Sequence, residues 1–331
     1  MKVILPVAGK GTRLRPHTHT KPKSLVQVAG KAVIDYILEG LFILKDIDEF
    51  IFIVDENGSE VERYIKNTYP SLKTEYIPQE GRLGPAHAVY LAKKRISLGE
   101  DILIVFNDTI FITDLYVIYS LKKQYDGLIF SKEVEDYKRF GVNVVKDGYI
   151  VDMVEKPDKP ISKLAQVGLY YIKDGLALMS YIERAIKENK RVKGEFYLPP
   201  IFKMMIEDGF KFGAPEINIW LDCGKPETLL QTNRYLLRKN NNIFGDLENV
   251  SIISPVYIGK GSKIKNAVIG PNVSVAEGCT IEYAILRDCI INRGSQIKDI
   301  VIKDSLIGEH AFISGKSEKL NIGDDSVLEI T

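Results

Sequence analysis

The C-terminal part of the chain carries a repeat that very few folds can accommodate. From Tyr257 onward, aliphatic residues recur at steps of five to six positions, often followed by glycine or a small polar residue. This hexapeptide period predicts a β-solenoid, in which each aliphatic side chain stacks on its counterparts in adjacent coils. The internal echoes Ile264–Gly270 and Ile297–Lys303 favour a true repeat over the alternative, an irregular β-rich tail. The repeating residues are Ile258, Ile264, Ile269, Val275, Ile281, Ile291, Ile297, Ile302, Ile307 and Ile313.

Residues before Asn240 follow another pattern, in which short apolar runs alternate with segments of helical period. The segment Ala32–Lys45, for example, places its aliphatic residues on one helical face. Such alternation predicts an α/β fold with a mostly parallel, doubly wound sheet covered by helices. The predicted strands are Val3–Val7, Phe50–Val54, Lys73–Ile77, Ile102–Phe106, Gly127–Phe130, Val142–Val145, Ile150–Val154 and Val167–Tyr171, and the other predicted helices are Gly84–Ile96, Thr113–Gln124, Gly175–Lys187, Tyr197–Glu207 and Pro226–Lys239.

The change of pattern divides the chain into two predicted domains. The polar tripeptide Asn240–Asn242 closes the last predicted helix, and the helical period disappears after it. We therefore expect an α/β domain over residues 1–240 and a solenoid domain over residues 246–331. A chain of 331 residues with 45% hydrophobic residues can bury the core that these two domains need.

Charge and cysteine content exclude several classes of partner. The 45 basic and 44 acidic residues nearly cancel, so no sequence-wide field favours nucleic acid or an anionic membrane. The three cysteines lack CxxC spacing, which indicates neither a disulfide framework nor a zinc site. The chain opens on a strand rather than a leader, and no apolar run approaches the roughly 20 residues of a membrane span. We expect a cytoplasmic protein.

The loop after the first predicted strand has the composition of a phosphate-binding site. Residues 6–16 and 21–25 bring together two glycines, a hydroxyl and basic residues at positions 10, 13, 15, 21 and 23. Glycines free the backbone to present N–H groups, and the cations can face a polyphosphate. Leu14 stands where a dinucleotide fingerprint needs glycine, and Thr12 and Arg13 follow Gly11 where a P-loop needs Lys and Ser or Thr.

Asn107 and Asp108 follow the predicted strand Ile102–Phe106. In open α/β sheets, ligands bind at the carboxyl ends of the strands. We therefore expect this pair near the glycine-containing loop, despite about a hundred intervening residues.

At these residues the chain resembles the sugar-1-phosphate nucleotidylyltransferases, and in particular the long glucose-1-phosphate thymidylyltransferase-like members that carry a C-terminal hexapeptide-repeat domain. The resemblance rests on Gly9–Pro16, Pro22–Leu25 and Gly30-Lys31, which fall at the family's spacings, and it extends to about Leu237. Gln27 departs from it, because the family usually has proline there. The resemblance implies a Rossmann-like nucleotide-diphospho-sugar transferase fold followed by a left-handed β-helix.

The implied reaction joins a nucleoside triphosphate, dTTP or UTP, to a sugar 1-phosphate such as glucose 1-phosphate and releases pyrophosphate. The resemblance assigns catalysis to three cations, with Arg13 at the leaving pyrophosphate and Lys23 between the α-phosphate and the sugar phosphate. The third cation is Lys10. The implied nucleotide-binding residues are Ala8, Gly9, Gly11, Thr12, Gln79 and Gly84.

Two aspartates are the implied ligands of Mg²⁺. Asp108 matches a family aspartate that commonly follows glycine, whereas here it follows Asn107. Asp222 lies in Trp220–Glu227, which resembles the family's Trp-x-Asp-x-Gly-x-Pro signature. Two carboxylates completed by phosphate oxygens and water suit Mg²⁺. Asp222 could instead cap the following helix.

The sugar-phosphate side is implied by weaker matches. Phe140–Val142 and Glu155–Pro157 resemble segments that hold sugar hydroxyls and the sugar phosphate, while Gln166 stands where relatives often have Asn or Thr. The implied sugar-phosphate-binding residues are Gly141, Glu155, Lys156, Gly168 and Lys193.

Two other functions stay open from the sequence. One is a non-catalytic regulatory or scaffold protein of the same architecture, and the other is a bifunctional nucleotidyl- and acyltransferase that would use His310 in the solenoid. The retained cations and aspartates disfavour the first, and the short solenoid disfavours the second, so His310 is better explained as a turn residue. The flat ends of a short solenoid lead us to expect a homo-oligomer.

Overall fold

The structure is a computed structural model that describes residues 1–9, 11–55, 58–81, 83–159 and 161–315. The chain forms two compact units. The first comprises Met1–Val26 and Lys31–Leu229, and the second comprises Gln27–Gly30 and the chain from Leu230 onward.

Thirteen strands precede residue 230 in the described chain, and nine of them form one sheet. Most are rich in β-branched and aromatic residues that are buried, as in the strands Glu49–Val54 and Ile102–Val105. The strands are β1 Lys2–Pro6, β2 Gln27–Val28, β3 Lys31–Ala32, β4 Glu49–Val54, β5 Thr74–Pro78, β6 Ile102–Val105, β7 Thr109–Ile112, β8 Gly127–Glu133, β9 Gly141–Lys146, β10 Tyr149–Glu155, β11 Leu164–Ile172, β12 Phe212–Gly213 and β13 Ile219–Asp222.

The large sheet has the order β10-β9-β11-β6-β1-β4-β5, and β8 and β12 branch from β11. Strands β5, β4, β1 and β6 are parallel, as is the pair β8 and β12. Strand β11 runs antiparallel to β6, β8 and β9, so the sheet is mixed beyond its parallel centre. The separate pair β7 and β13 is antiparallel. The α/β class predicted from the sequence is confirmed, and the carboxyl ends of β1 and β6 lie side by side.

Seven α-helices are described: α1 Val33–Leu41, α2 Gly58–Thr68, α3 Pro85–Tyr90, α4 Val117–Leu121, α5 Gly175–Lys187, α6 Leu198–Glu207 and α7 Pro226–Leu237. Helix α1 begins where the Asp35 carboxylate accepts a hydrogen bond from Ala32 N at 2.9 Å. Its aliphatic face is fully buried, which stabilises the fold by about 1.5–3 kcal/mol for each large side chain.

Three helices differ from their predicted bounds by several residues, and one was not predicted. Helix α1 ends at Leu41, four residues before the predicted end at Lys45. The segment predicted over Gly84–Ile96 is α3 followed by a 3₁₀ helix over Leu91–Arg95, and α4 is shorter than Thr113–Gln124. Helix α2 was missed because its buried face is narrow: Val61 and Ile65 are its large buried side chains. A stripe of two residues is too sparse for the helical period to be evident.

The second unit contains parallel strands stacked in coils, as the hexapeptide period predicted, and fits a left-handed β-helix. Ile264 pairs with Ile281 seventeen positions later, and Ile281 pairs with Ile297 sixteen positions later. These three side chains are buried and stack through the core of the coils. The strands are β14 Asp246–Ile252, β15 Val256–Ile258, β16 Lys263–Ile269, β17 Val273–Val275, β18 Thr280–Arg287, β19 Ile290–Ile291, β20 Gln296–Lys303, β21 Leu306–Ile307 and β22 Phe312–Ser314.

His310 occupies a corner of this solenoid. Its φ is 52°, and the corresponding corners of the preceding coils hold Gly261, Gly278 and Gly294 with φ between 68° and 70°. The imidazole packs over the backbone of Gly294, where a Cβ would lie 2.5 Å from its Nδ1. This position agrees with the interpretation of His310 as a turn residue.

Candidate active site

The loop after β1 folds tightly around Gly11. This residue has φ 58° and precedes the 3₁₀ helix Thr12–Leu14. A Cβ on Gly11 would lie 3.0 Å from Thr18 and 3.1 Å from Lys23, so a larger residue would push these two side chains apart. The Thr18 hydroxyl donates a hydrogen bond to Gly11 O at 2.7 Å. Lys10 lies outside the described residues.

This loop forms one wall of a cavity of about 420 Å³, which we call the loop pocket. The pocket gathers all six residues predicted to bind the nucleotide, together with two of the predicted catalytic cations and one predicted metal ligand. These residues are Ala8, Gly9, Gly11, Thr12, Gln79 and Gly84, then Arg13 and Lys23, and finally Asp108.

Gln79 and Gly84 line the loop pocket from segments outside the β1 loop. Gln79 follows β5, and its backbone N–H donates to Val54 O at 2.7 Å. Gly84 precedes α3 with φ 108°, and a Cβ there would lie 2.7 Å from both Phe196 N and Phe196 O. Only glycine allows the backbone to approach so closely.

A second cavity of about 780 Å³, which we call the sheet pocket, lies at the antiparallel side of the sheet. Four predicted sugar-phosphate-binding residues line it: Gly141, Glu155, Lys156 and Gly168. The two pockets share five lining residues, which are Arg13, Pro85, Phe106, Asp108 and Glu195. They therefore form the two chambers of one site, with one cation, Arg13, and two carboxylates, Asp108 and Glu195, at the boundary.

Opposite charges meet at this boundary. Lys23 is 7% exposed, and its Nζ lies 3.5 Å from Asp108 Oδ2. Pairing of β7 with β13 places Asp222 opposite Thr109, so both aspartates lie at one end of the strand pair. A Cβ on Gly224 would lie 2.8 Å from Asp222 Oδ1 and 3.0 Å from Arg13 Nη2, which places the Arg13 guanidinium next to Asp222.

The two aspartates also suit a hard cation. No group of three or more His, Cys, Asp or Glu side chains that could hold a metal occurs among the described residues. Asp108 and Asp222 are both partly exposed to the sheet pocket, with side-chain exposures of 42% and 31%. Mg²⁺ usually takes one or two carboxylates and completes its shell with substrate phosphates and water, and this pair fits that pattern. Asp222 Oδ1 also accepts a hydrogen bond from Gly224 N at 2.7 Å, so it caps the turn before α7 as well.

Glu155 and Lys156 form an ion pair in the wall of the sheet pocket. Lys156 Nζ lies 3.3 Å from Glu155 Oε1 and 4.8 Å from the centre of the Tyr197 ring. Burial raises the pKa of the Glu155 carboxyl, although the charge of Lys156 acts in the opposite direction. Lys193 is absent from the described lining of both pockets. It is exposed at the turn between Val192 and Glu195, from which its charge slightly opposes the rise in the Glu155 pKa.

A buried chain of hydrogen bonds ends at the sheet pocket. The Tyr170 hydroxyl donates to Gln166 Oε1 at 3.4 Å, and Gln166 Nε2 donates to Asn143 Oδ1 at 2.8 Å. Asn143 Nδ2 donates to the Ser131 hydroxyl at 2.9 Å, which donates to Ile129 O at 2.7 Å. Each link fixes the direction of the next, so the orientation of the Gln166 amide at the pocket wall is determined by residues behind it.

Several pocket residues were not predicted as site residues. Trp220 lines the sheet pocket, and its ring centre lies 4.8 Å from that of Phe140. Tyr170 and Tyr197 line the same pocket. Trp220 and Phe140 belong to segments that the sequence had singled out, whereas the two tyrosines follow no local signal, because their positions depend on strand pairing and helix packing.

Comparisons with known proteins identify the family of each part of the chain. The family description "Nucleotidyl transferase" matches residues 2–239, and "GlmU-like, C-terminal hexapeptide" matches residues 237–321. The chain is 31% identical to the glucose-1-phosphate thymidylyltransferase of Streptomyces antibioticus over 362 residues, which cover 100% of this chain and 99% of that protein. It is 34% identical to the bifunctional protein GlmU of Methanocaldococcus jannaschii over 265 residues, which cover 79% of this chain and 61% of that protein.

Solved structures show the same fold. A UDP-glucose pyrophosphorylase in complex with UDP-glucose superposes with a TM-score of 0.62 at 22% identity, covering 72% of this chain and 98% of that chain. The UDP-glucose pyrophosphorylase from Acinetobacter baumanii gives a TM-score of 0.61 at 20% identity, covering 72% and 93%.

The fold and the two-chambered site define a nucleotidyltransferase with a C-terminal hexapeptide domain. Within this class, the chain belongs to the sugar-1-phosphate nucleotidylyltransferase family. The family is generally Mg²⁺-dependent. None of the helices in the described part of the chain is long and apolar enough to cross a membrane.

Proposed function

We propose that this protein joins a pyrimidine nucleoside triphosphate, UTP or dTTP, to a sugar 1-phosphate, with glucose 1-phosphate as the first candidate. The observation that carries the proposal is the shared wall of the two pockets, where Arg13 and Asp108 border both chambers. A nucleotide in the loop pocket and a sugar phosphate in the sheet pocket would meet at this wall.

The reaction brings two anions together, so positioning and neutralisation supply most of the catalysis. Lys23 is buried beside Asp108 and has little freedom to move, which suits it to hold the α-phosphate and the sugar phosphate next to each other. Arg13, beside Gly224, would neutralise the departing pyrophosphate. Lys10 would add a third cation from the same loop.

Asp108 and Asp222 would hold a Mg²⁺ ion, which when bound supplies positive charge to the phosphate oxygens. The chain's own groups restrict where that ion could lie. Lys23 is on one side of Asp108, and Arg13 and Arg139 are on the side of Asp222, with Arg139 Nη2 3.8 Å from Asp222 Oδ2. A dication between these cations requires phosphate oxygens to offset the repulsion, which favours binding of the metal together with the nucleotide.

Gln79 and Gly84 support a pyrimidine base. The glutamine amide offers one donor and one acceptor, and the glycine offers its backbone groups, a combination that can pair with the O4, N3–H and O2 edge of uracil or thymine. Both residues line the loop pocket but lie outside the β1 loop, to which the phosphates are assigned.

In the sheet pocket, Gly141 and Glu155 are directly paired across β9 and β10, and a Cβ on Gly141 would lie 2.9 Å from Glu155 Oε2. The absence of a side chain at Gly141 leaves room for a hydroxyl beside the carboxylate. We assign the sugar hydroxyls to these two residues and to the Gly168 backbone, and the sugar phosphate to Lys156. Lys193 would act through its charge.

The experiment that tests this function is a substrate panel. Common sugar 1-phosphates are combined with UTP, dTTP, GTP, CTP and ATP in the presence of Mg²⁺, and pyrophosphate release is measured. We expect turnover with UTP and dTTP and poorer turnover with purine nucleotides. Highest kcat/KM with ATP or GTP, or no turnover with any pair, would contradict the proposal. Transfer of an acetyl group from acetyl-CoA would instead support the bifunctional alternative.

The hexapeptide domain serves assembly in this proposal. We assign residues 1–240 to the nucleotidylyltransferase domain and residues 246–331 to a β-helix through which subunits associate in the cytoplasm. Outward-facing Ile285 and Val301 are 46% and 69% exposed and lie side by side on adjacent coils. Exposed aliphatic residues in contact with one another are typical of surfaces that another subunit covers.

A further inference from the structure

Arg139 is a cation of the sheet pocket to which the proposed chemistry assigns no substrate contact. It ends the 3₁₀ helix Tyr137–Arg139 and precedes Phe140 and strand β9. Its side chain lines the sheet pocket and is 39% exposed. A ligand in this pocket can therefore reach the guanidinium.

Backbone contacts place Arg139 beside the residues to which we assign the sugar phosphate. Lys156 N donates a hydrogen bond to Phe140 O at 3.0 Å, and Gly141 pairs directly with Glu155. Residues 139–141 and 155–156 therefore run side by side along the wall of the sheet pocket. A sugar 1-phosphate held by Gly141, Glu155 and Lys156 lies next to the segment that carries Arg139.

Aromatic packing holds the Arg139 guanidinium near Asp222. The central carbon of the guanidinium lies 5.5 Å from the centre of the Phe140 ring, which is within the range of a cation–π contact. The Phe140 ring in turn packs on Trp220, which projects from the same face of β13 as Asp222 because side chains alternate along a strand. Arg139 Nη2 lies 3.8 Å from Asp222 Oδ2 and Nη1 lies 3.7 Å from Asp136 Oδ2. Both distances exceed that of a hydrogen bond.

The phosphate of a sugar 1-phosphate is a dianion that one ammonium group neutralises only in part. Lys156 Nζ already lies 3.3 Å from Glu155 Oε1 and donates to the Tyr197 hydroxyl at 3.5 Å. Lys193 is exposed and lies outside the described lining of the sheet pocket. A guanidinium can bind two phosphate oxygens at once through parallel N–H donors, whereas an ammonium group acts as a point charge. Arg139 has the charge and the shape that this phosphate needs.

We propose that the Arg139 guanidinium binds the phosphate of the sugar 1-phosphate, and that this contact replaces its contact with Asp222. The inference rests on the proposed function, because it assumes that the sheet pocket holds the sugar phosphate and that Asp222 is a metal ligand. It names a second cation for the sugar phosphate and links the binding of that phosphate to the release of a metal-binding carboxylate.

The exchange predicts effects of opposite sign when Arg139 is removed. Loss of the charge-assisted hydrogen bonds to the phosphate should raise KM for the sugar 1-phosphate by about tenfold to a hundredfold. The same change removes a positive charge from beside Asp222, so a divalent cation should bind as tightly as in the wild type or more tightly. This gain is small, because Arg139 and Asp222 are both partly exposed and exposed ion pairs are weak. A merely structural role would weaken the binding of both ligands.

The test compares full-length wild type with Arg139→Ala. KM is measured for UTP and for the sugar 1-phosphate that gives the highest kcat/KM in the substrate panel, with glucose 1-phosphate as the first candidate. Mn²⁺, which also prefers carboxylate and water oxygens, is titrated in the presence of UTP and followed by electron paramagnetic resonance, a readout that needs no turnover. We expect a raised KM for the sugar 1-phosphate, a nearly unchanged KM for UTP and a dissociation constant for Mn²⁺ that is unchanged or lower.

Arg139→Lys and Lys138→Ala test whether the guanidinium itself is needed. Arg139→Lys keeps the charge but loses the parallel donors, so KM for the sugar 1-phosphate should rise less than in Arg139→Ala. Lys138 is the neighbouring cation of the same pocket lining. A rise in Lys138→Ala as large as that in Arg139→Ala would assign the effect to the general positive charge of this segment and overturn the specific contact.

Arg184→Ala serves as the matched control. Arg184 also neighbours an aspartate and an aromatic ring, with Nη2 3.3 Å from Asp208 Oδ2 and the guanidinium carbon 4.6 Å from the centre of the Tyr181 ring. It lies in neither described pocket lining. The variant should leave both KM values and the affinity for Mn²⁺ at their wild-type values, whereas a raised KM for the sugar 1-phosphate would overturn the role of Arg139.

The remaining outcomes separate this inference from the proposed function. An unchanged KM for the sugar 1-phosphate in Arg139→Ala, or equal rises for both substrates, overturns the phosphate contact while nucleotidyl transfer stands. Weaker Mn²⁺ binding in this variant overturns the exchange with Asp222. Absence of turnover with every pair in the panel overturns the proposed function. In that case calorimetry with glucose 1-phosphate decides the phosphate contact directly, since weaker binding to Arg139→Ala than to wild type supports it and equal binding overturns it.

Discussion

Asp108 and Asp222 each have a cationic neighbour close by, Lys23 in one case and Arg139 in the other. Lys23 Nζ lies 3.5 Å from Asp108 Oδ2, and Arg139 Nη2 lies 3.8 Å from Asp222 Oδ2. The two carboxylates proposed as metal ligands therefore lie beside the positive charge that a polyphosphate needs.

The first prediction concerns these two carboxylates. Asp108→Asn and Asp222→Asn should each raise the Mg²⁺ concentration needed for half-maximal activity by about tenfold or more, because each removes one hard anionic ligand. Mg²⁺ titrations of activity provide the measurement. Asp208→Asn is the control, since Asp208 is exposed and pairs with Arg184 away from both pockets. Unchanged titrations in both pocket variants would place the metal elsewhere.

Glu155 gives a prediction about pH. Its pKa is raised above the ordinary value of 4.5 by burial, so it takes up a proton at a higher pH than a free glutamate does. The carboxylate to which we assign the sugar hydroxyls is present above the raised pKa and is lost as the pH falls through it. We therefore expect KM for the sugar 1-phosphate to rise on acidification, beginning at a pH above 4.5.

Glu155→Gln separates this effect from the titration of the substrate phosphate. The variant should have a higher KM at neutral pH and should lack the component of the pH dependence that comes from residue 155. The measurement is KM for the sugar 1-phosphate against pH in both proteins at saturating nucleotide. Identical profiles for wild type and variant would show that Glu155 does not contact the sugar.

Sequence patterns located the residues that belong to compact local segments. Gly11, Arg13 and Lys23 lie within one loop, and the turn Asp222–Pro226 carries its own spacing, so local order was enough to single them out. That the buried Asn107 Nδ2 has no hydrogen-bond partner in the described part of the chain could not be predicted from the sequence. Whether a buried amide is paired depends on the whole fold, which no short segment records.

At the scale of elements, the sheet pocket depends on three neighbouring strands. Strand β11 pairs with β8 on one side and meets β9 on the other, so Ser131, Asn143 and Gln166 come from three separate strands. The short apolar runs predicted a strand in each of the three places but not which strands would be neighbours. The mixed order of the sheet and the hydrogen-bond chain that crosses it could therefore not be predicted from local periodicity.

Asn143 gives the prediction at this scale. Asn143→Ala should raise KM for the sugar 1-phosphate severalfold and leave KM for the nucleotide nearly unchanged, because Gln166 loses the acceptor that orients its amide. It should also lower the free energy of unfolding by about 1–3 kcal/mol, since buried partners lose their hydrogen bonds. Steady-state kinetics and denaturant unfolding measure the two effects.

The control for this prediction is Asn218→Ala, because Asn218 is exposed and lies in neither described pocket lining. It should change neither KM value. An Asn143→Ala protein whose two KM values rose equally would show that the hydrogen-bond chain supports the fold as a whole rather than the sugar site.

At the scale of the whole molecule, the hexapeptide domain leads us to expect a homo-oligomer. Full-length protein should have a light-scattering mass that is a multiple of the 37.3 kDa chain mass. A shorter chain that stops near Gly245 should lose more mass than the removed residues account for and keep some activity. A monomeric full-length protein would contradict the expectation.

A full-length variant tests whether the exposed pair Ile285 and Val301 forms the subunit contact, without removing the hexapeptide domain. Ile285→Lys combined with Val301→Lys places charges on the outward-facing aliphatic pair and leaves the inward-facing Ile281, Leu286 and Ile297 untouched. We expect the oligomer to dissociate while the far-ultraviolet circular dichroism stays that of the wild type. The charge-preserving change Lys265→Arg on the same sheet is the control and should leave the mass unchanged.

Because of the strand register between coils, the solenoid consists of a whole number of equivalent turns. Thr280 pairs with Gln296 and Lys263 pairs with Thr280, so residues 280–295 form one complete turn between equivalent positions. Loss or duplication of that whole turn keeps every inward-facing side chain above its counterpart, whereas a change of a few residues turns apolar side chains toward water. The length of the domain can therefore change in steps of one whole coil.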